Sequence, residues 1–196
     1  MKSITTTLVA ILAIVGITFA DDVAPKHDQP EQQNPSAFLQ KLVGEWSVTS
    51  YAVMDPNEEP YRFEGEETAR MLGRQWLISE YQSEVEGQVI HSILTIGYDP
   101  AQEQFVATYV NSMQTQLWSY EGTLNEQGTT LTLKTEGPFM GDPNQKADYR
   151  VVIERDDADR WTMSSQIHMP DGEWFEFLRF EYERKNNDAK QPDQPR

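Results

Sequence analysis

The segment Ile93-Leu94-Thr95-Ile96-Gly97-Tyr98-Asp99-Pro100 leads through Ala101-Gln102-Glu103 into Phe105-Val106-Ala107-Thr108-Tyr109-Val110-Asn111-Ser112-Met113. Both arms are rich in β-branched and aromatic residues, and the polar, proline-containing stretch between them has the chemistry of a turn. This hairpin constrains the chain because its pattern recurs. Alternation predicts strands near 45–54, 61–72, 74–85, 88–98, 104–113, 116–124, 129–136, 147–155, 160–169 and 174–184. Short turn-like connections join them, among them Gly73, Glu86-Gly87, Asn125-Glu126-Gln127-Gly128 and Pro170-Asp171-Gly172. A meander of about ten hairpin-linked strands removes its exposed edges most simply by closing on itself. The expected fold is therefore all-β, a closed antiparallel up-and-down β-barrel with one short N-terminal helix. A two-sheet sandwich is the alternative, and the short turns count against the long crossovers of a Greek key.

The 196 residues suit one domain with a real core. Lys2, the apolar run from Leu8 to Ile17 and the small residues before Asp21 have the form of a secretory signal cleaved after Ala20. The run is well short of the ~20 residues that span a bilayer. Residues 21–35 form an expected disordered linker, 36–185 the barrel domain and 186–196 a disordered tail. His27 falls in the linker and is assigned no ligand role. Asn34-Pro35-Ser36 opens a helix whose apolar face is Phe38, Leu39, Leu42 and Val43, until Gly44 stops it. The chain has no cysteine, so it has no disulfides, thiolate metal sites or acylated-cysteine anchor. The expectation is a free periplasmic or secreted protein. Formal charge is -16, which repels phosphate backbones and disfavours nucleic acid as a partner.

Alternation also sorts the faces. Trp118, Tyr120, Gly122 and Leu124 share one side, as do Leu77, Ser79, Tyr81, Ser83 and Val85, and these sets are expected to look inward. On the last strand, Trp174, Glu176, Leu178, Phe180 and Tyr182 are expected to oppose Phe175, Phe177 and Arg179. Because both faces are apolar near Phe175, the helix is expected to cover that outer surface. Glu66, Glu67, Asp156 and Asp157 sit in polar stretches or turns and are expected to be solvated.

Gly44-Glu45-Trp46 after a short helix resembles the opening of calycin barrels, the lipocalins and fatty-acid-binding proteins. That resemblance implies a tryptophan plugging the closed end, with Arg184 over it in a cation–π contact and Arg179 as second choice. Leu39-Gln40-Lys41-Leu42-Val43-Gly44-Glu45-Trp46, Leu72-Gly73-Arg74-Gln75-Trp76-Leu77, Ile96-Gly97-Tyr98-Asp99-Pro100, Tyr120-Glu121-Gly122-Thr123-Leu124 and Tyr182-Glu183-Arg184-Lys185 together resemble domain-of-unknown-function family 1579 over residues 38–185. Where that family tends to carry Trp then Asp after the Gly-Tyr-Asp turn, this chain has Tyr109 and Asn111. The resemblance implies a fold and no reaction.

Catalytic motifs are missing. No serine sits in a Gly-x-Ser-x-Gly elbow, and His91 and His168 have no metal-ligand neighbours at suitable spacing. No catalytic residue, metal or cofactor is assigned, although resemblance to a haem-binding barrel family singles out His168 for a haem titration. The aromatics Tyr81, Tyr109, Trp118 and Tyr120, with Asn111, Arg150 and His168 as polar contacts, are the candidate ligand-binding set for a small hydrophobic or amphipathic molecule. The same side chains could instead fill the core. Gly137-Pro138-Phe139-Met140-Gly141 is expected to be a lid over the open end or a plug in it. Two other readings stand beside the carrier: an acid–base enzyme using His168 or Glu80 at the barrel mouth, and an envelope interaction module using Phe175 and Phe177.

Overall fold

A computed structural model describes residues 35–185 except 54, 56, 57 and 141. The expected signal segment, the expected linker as far as residue 34 with His27, and the expected tail from 186 lie outside the described residues, whereas Pro35 already belongs to the helix. Helix α1 (Pro35–Lys41) precedes β1 (Gly44–Ala52), β2 (Tyr61–Leu72), β3 (Trp76–Val85), β4 (Gln88–Asp99), β5 (Gln104–Asn111), β6 (Trp118–Leu124), β7 (Thr130–Phe139), β8 (Asp142–Arg155), β9 (Arg160–His168) and β10 (Trp174–Arg184). Each strand pairs antiparallel with its sequence neighbours, and β1 pairs with both β2 and β10. The sheet therefore closes, which excludes the sandwich.

Local chemistry accounts for the turns. Glu86 and Gly87 both take positive φ, 51° and 78°, as a two-residue hairpin between right-twisted strands requires. Asn125 ties the β6–β7 turn through its Oδ1, which accepts from the Thr129 and Thr130 amides at 2.9 and 3.1 Å. Along the strands, polar residues such as Glu80, Gln82 and Glu84 point out, while Leu77, Ser79, Tyr81 and Ser83 are buried. A polar outer face around an apolar interior is the reverse of a transmembrane barrel. Among the described residues no helix is long and apolar enough to cross a membrane.

The closed end forms as the Gly-x-Trp pattern implied. Trp46 is 1% exposed, donates its indole N–H to Leu42 O at 3.0 Å, and meets Trp161 edge-on at 5.9 Å. Arg184, paired with it across β1 and β10, places Cζ 4.2 Å from the ring and donates to Val43 O at 3.0 Å and Ala158 O at 2.8 Å. A Cβ at Gly44 would collide with that guanidinium, so the glycine is a condition of the contact. Fully burying a tryptophan removes roughly 200 Å² from water, about 5 kcal/mol before ordering costs, so the plug is a major anchor of the fold.

Three expectations are corrected. Helix α1 packs on β3 and β4 at the plugged end, with Phe38 edge-on to Phe105 at 6.4 Å, and does not cover the start of β10. On β10 the pairing to β9 slips between Glu176 and Leu178, so Phe177 is an extra residue. The bulge inverts the faces before it: Phe175 pairs with buried Ile167, and Trp174 and Glu176 turn outward. The outer patch proposed at Phe175 and Phe177 is therefore absent. Finally, Gly137, Pro138 and Phe139 continue β7 into a hairpin with β8, and none of 137–140 is among the residues lining the cavity. Gly137 lies against the Trp118 indole, which a Cβ there would strike.

Candidate functional site: an aromatic cavity over a buried carboxyl

The interior is not filled. A cavity of about 160 Å³ lies above the plug, with Glu67, Ser79 and Tyr182 among its lining residues and Asn111, Gln114 and Trp118 at the end carrying the β5–β6 loop. Tyr81, Tyr109, Tyr120, Tyr149, Phe177 and Phe180 supply most of the remaining wall. The rings brace one another: Trp118 meets Tyr149 edge-on at 5.2 Å and stacks on Tyr120 at 6.5 Å, while Tyr81 meets Phe180 at 5.6 Å. Burial raises the phenols of Tyr81, Tyr120, Tyr149 and Tyr182 above their ordinary value, so these walls stay neutral. Close packing leaves some space only because small residues sit among the rings. Gly65 is one, since a Cβ there would stand 2.5 Å from Tyr81 Oη, whose partner is Ser50 Oγ at 3.1 Å.

Of the sequence-assigned set, Tyr81, Tyr109, Asn111, Trp118 and Tyr120 converge on this cavity. Asn111 Nδ2 donates to Tyr109 Oη at 3.4 Å, so these two positions act as a pair. Arg150 borders the cavity, but its guanidinium is engaged elsewhere: Nε donates to Gln166 Oε1 at 2.6 Å and Cζ lies 4.2 Å from the Trp174 ring. His168 does not line the cavity. It pairs with outward-facing Trp174, one residue past buried Ile167, and its Nε2 lies 3.1 Å from Gly172 O in the following turn. Glu80 is on the outer face, 3.6 Å from Arg70. His168 and Glu80 each border an open groove on the outer surface, and neither reaches the aromatic cavity.

Glu67 is the residue that sequence reasoning misplaced. It pairs with Trp46 in the register, faces inward and is 4% exposed. Tyr182 Oη donates to Oε2 at 3.2 Å, and Oε1 has no hydrogen-bond partner. Desolvation pushes the carboxyl up from 4.5 to about 7, against the pull of the Ser79 and Tyr182 hydroxyls. Its neighbour Glu66 has the opposite fate, exposed and 2.6 Å from Lys185. The signal was present in β2, where Glu67 shares the phase of Ala69 and Met71. Among the described residues no cluster of three or more acidic or histidine side chains could hold a metal.

A closed ten-stranded meander, plugged by Trp46 under Arg184 and holding an aromatic hollow, is an antiparallel up-and-down β-barrel. The chain belongs to the DUF1579 family, described as protein of unknown function, whose sequence profile matches residues 31–184. No curated protein sequence matches it. Among solved structures it is similar to Rv2717c from M. tuberculosis, at 14% identity and TM-score 0.54, covering 78% of this chain and 98% of that one. The S-type phycobiliprotein lyase CPES from Guillardia theta is similar to the same degree, 14% identity and TM-score 0.54, covering 78% and 93%. At this identity the likeness shows the shared fold.

Proposed function

We propose that this protein is an exported carrier that holds one small amphipathic molecule in the barrel cavity. The observation that carries the reading is the cavity of about 160 Å³ walled by aromatic rings with a few polar groups at either end. Size narrows the guest: an engineered cavity of ~150 Å³ takes benzene, so one substituted ring fits here, whereas a tetrapyrrole or a long acyl chain does not. Export is supported by the charged start, apolar run and small residues of the first 20 positions. Native mass spectrometry of protein from its host tests both parts. A mature chain starting at Asp21 with an added mass of small-molecule size is expected; an uncleaved chain ends the export reading. A bare mass, together with no change in Trp118 emission on adding single-ring aromatics, ends the carrier reading.

A buried carboxyl held near neutrality is also the state a general acid or base needs. Acid–base catalysis, the second reading, therefore passes from His168 and Glu80 to Glu67. It requires turnover of a bound guest that Glu67→Gln abolishes.

A further inference from the structure

Glu67 is set among groups that leave its charge unanswered. The hydrogen-bonding neighbours that act on it, Ser79 and Tyr182, are neutral hydroxyls, and Oε1 has no partner. The basic side chain among the residues that line the cavity, Arg150, is committed to Gln166 and Trp174. A buried carboxyl without a cation is costly for the empty barrel, and its cost falls when a guest brings a positive charge. The cavity wall is built largely of electron-rich rings, whose faces attract cations and do not discriminate against their alkyl groups. Beyond the mouth, a formal charge of -16 draws cations toward the protein and repels anions.

We propose that the cavity selects a small organic cation, a protonated primary amine carried on a single ring, with the ammonium against Glu67 and the ring among Tyr81, Tyr109, Trp118 and Tyr120. The inference deepens the carrier reading and rests on it. An ammonium beside the carboxylate answers its charge, while the existing bond from Tyr182 holds Oε2 in place. A neutral guest of the same shape fills the space and leaves the carboxyl as it was. An anionic guest meets a like charge at the floor and finds the Arg150 guanidinium already occupied.

Three probes of nearly equal size separate these cases: benzylamine, ethylbenzene and benzoate, titrated calorimetrically into the mature protein at pH 8. Benzylamine is expected to bind at least tenfold tighter than ethylbenzene, with benzoate weakest. In Glu67→Gln, which removes the buried charge and keeps the shape, ethylbenzene binding is expected to persist and the preference for benzylamine to vanish. Equal affinity for benzylamine and ethylbenzene in the wild-type protein overturns the inference while leaving the carrier reading intact. So does a preference that survives in Glu67→Gln. Failure of both to bind overturns the carrier reading and the inference with it. The wild-type comparison needs no variant, so a misfolded Glu67→Gln would not shield the idea.

Discussion

Replacing Glu67 with glutamine should make the empty barrel more stable, and only above mildly acidic pH. In the unfolded chain the carboxyl loses its proton near 4.5; in the barrel it holds it until about 7. Below pH 4.5 both states are protonated and the residue contributes nothing. Between the two values the unfolded chain ionises while the folded one does not, so stability falls as pH rises. Above about 7 the full cost is present. At ~1.4 kcal/mol for each pH unit, the cost reaches about 3 kcal/mol. Glutamine cannot titrate, so the variant lacks this loss. The other carboxylates titrate alike in both proteins and cancel in the difference. Urea unfolding of the two proteins at pH 4.5 and pH 8.5 is the assay, and thermal scans should separate them by roughly 6 to 12 °C at the higher pH for a domain of this size. A gap that is the same at both pH values, or one that favours the wild type at pH 8.5, would refute the account of Glu67 as a buried, uncompensated charge.

Arg184→Met should destabilise the barrel by about 1 to 3 kcal/mol in urea, because it removes the cation over Trp46 and leaves the Val43 and Ala158 carbonyls without their donor. Gly137→Ala should displace the Trp118 ring and shift its emission, measured against a Trp118→Phe reference; unchanged emission would contradict the close approach seen here. Haem titration should give no Soret change that depends on His168, since that side chain is outside the cavity and bonded to its own turn. Trp118→Ala should weaken binding of single-ring guests about tenfold by removing a wall near the mouth, read by calorimetry.

The architecture was readable because closure of a meander follows from alternation and short turns, both local properties. The plug was readable through the Gly-x-Trp resemblance, and the structure supplies its reason: the glycine makes room, the tryptophan fills the floor and the arginine covers it. The aromatic wall followed from the same period-two pattern in β3 and β6. Other features escaped for definite reasons. Glu67 stood in the inward phase of β2, but its residue type argued for solvent, and only three-dimensional closure shows the phase overriding the type. The bulge at Phe177 adds one residue without any marker in composition, so every face assigned upstream of it on β10 was inverted. Arg150 and His168 look like cavity ligands by chemistry, yet Arg150 is engaged by Gln166 and Trp174 from other strands, and His168 turns outward to Gly172 O in its own turn.

Since β1 starts and β10 finishes beside Trp46, with the Lys185 amide bonded to Glu45 O at 2.9 Å, both ends of the barrel proper leave from the plugged pole. A short peptide joining them, with the chain reopened at the Glu86-Gly87 hairpin, would preserve every rung of the cylinder. Immobilised through either end, the vessel would hang base-down from its support, its mouth turned to the surrounding fluid.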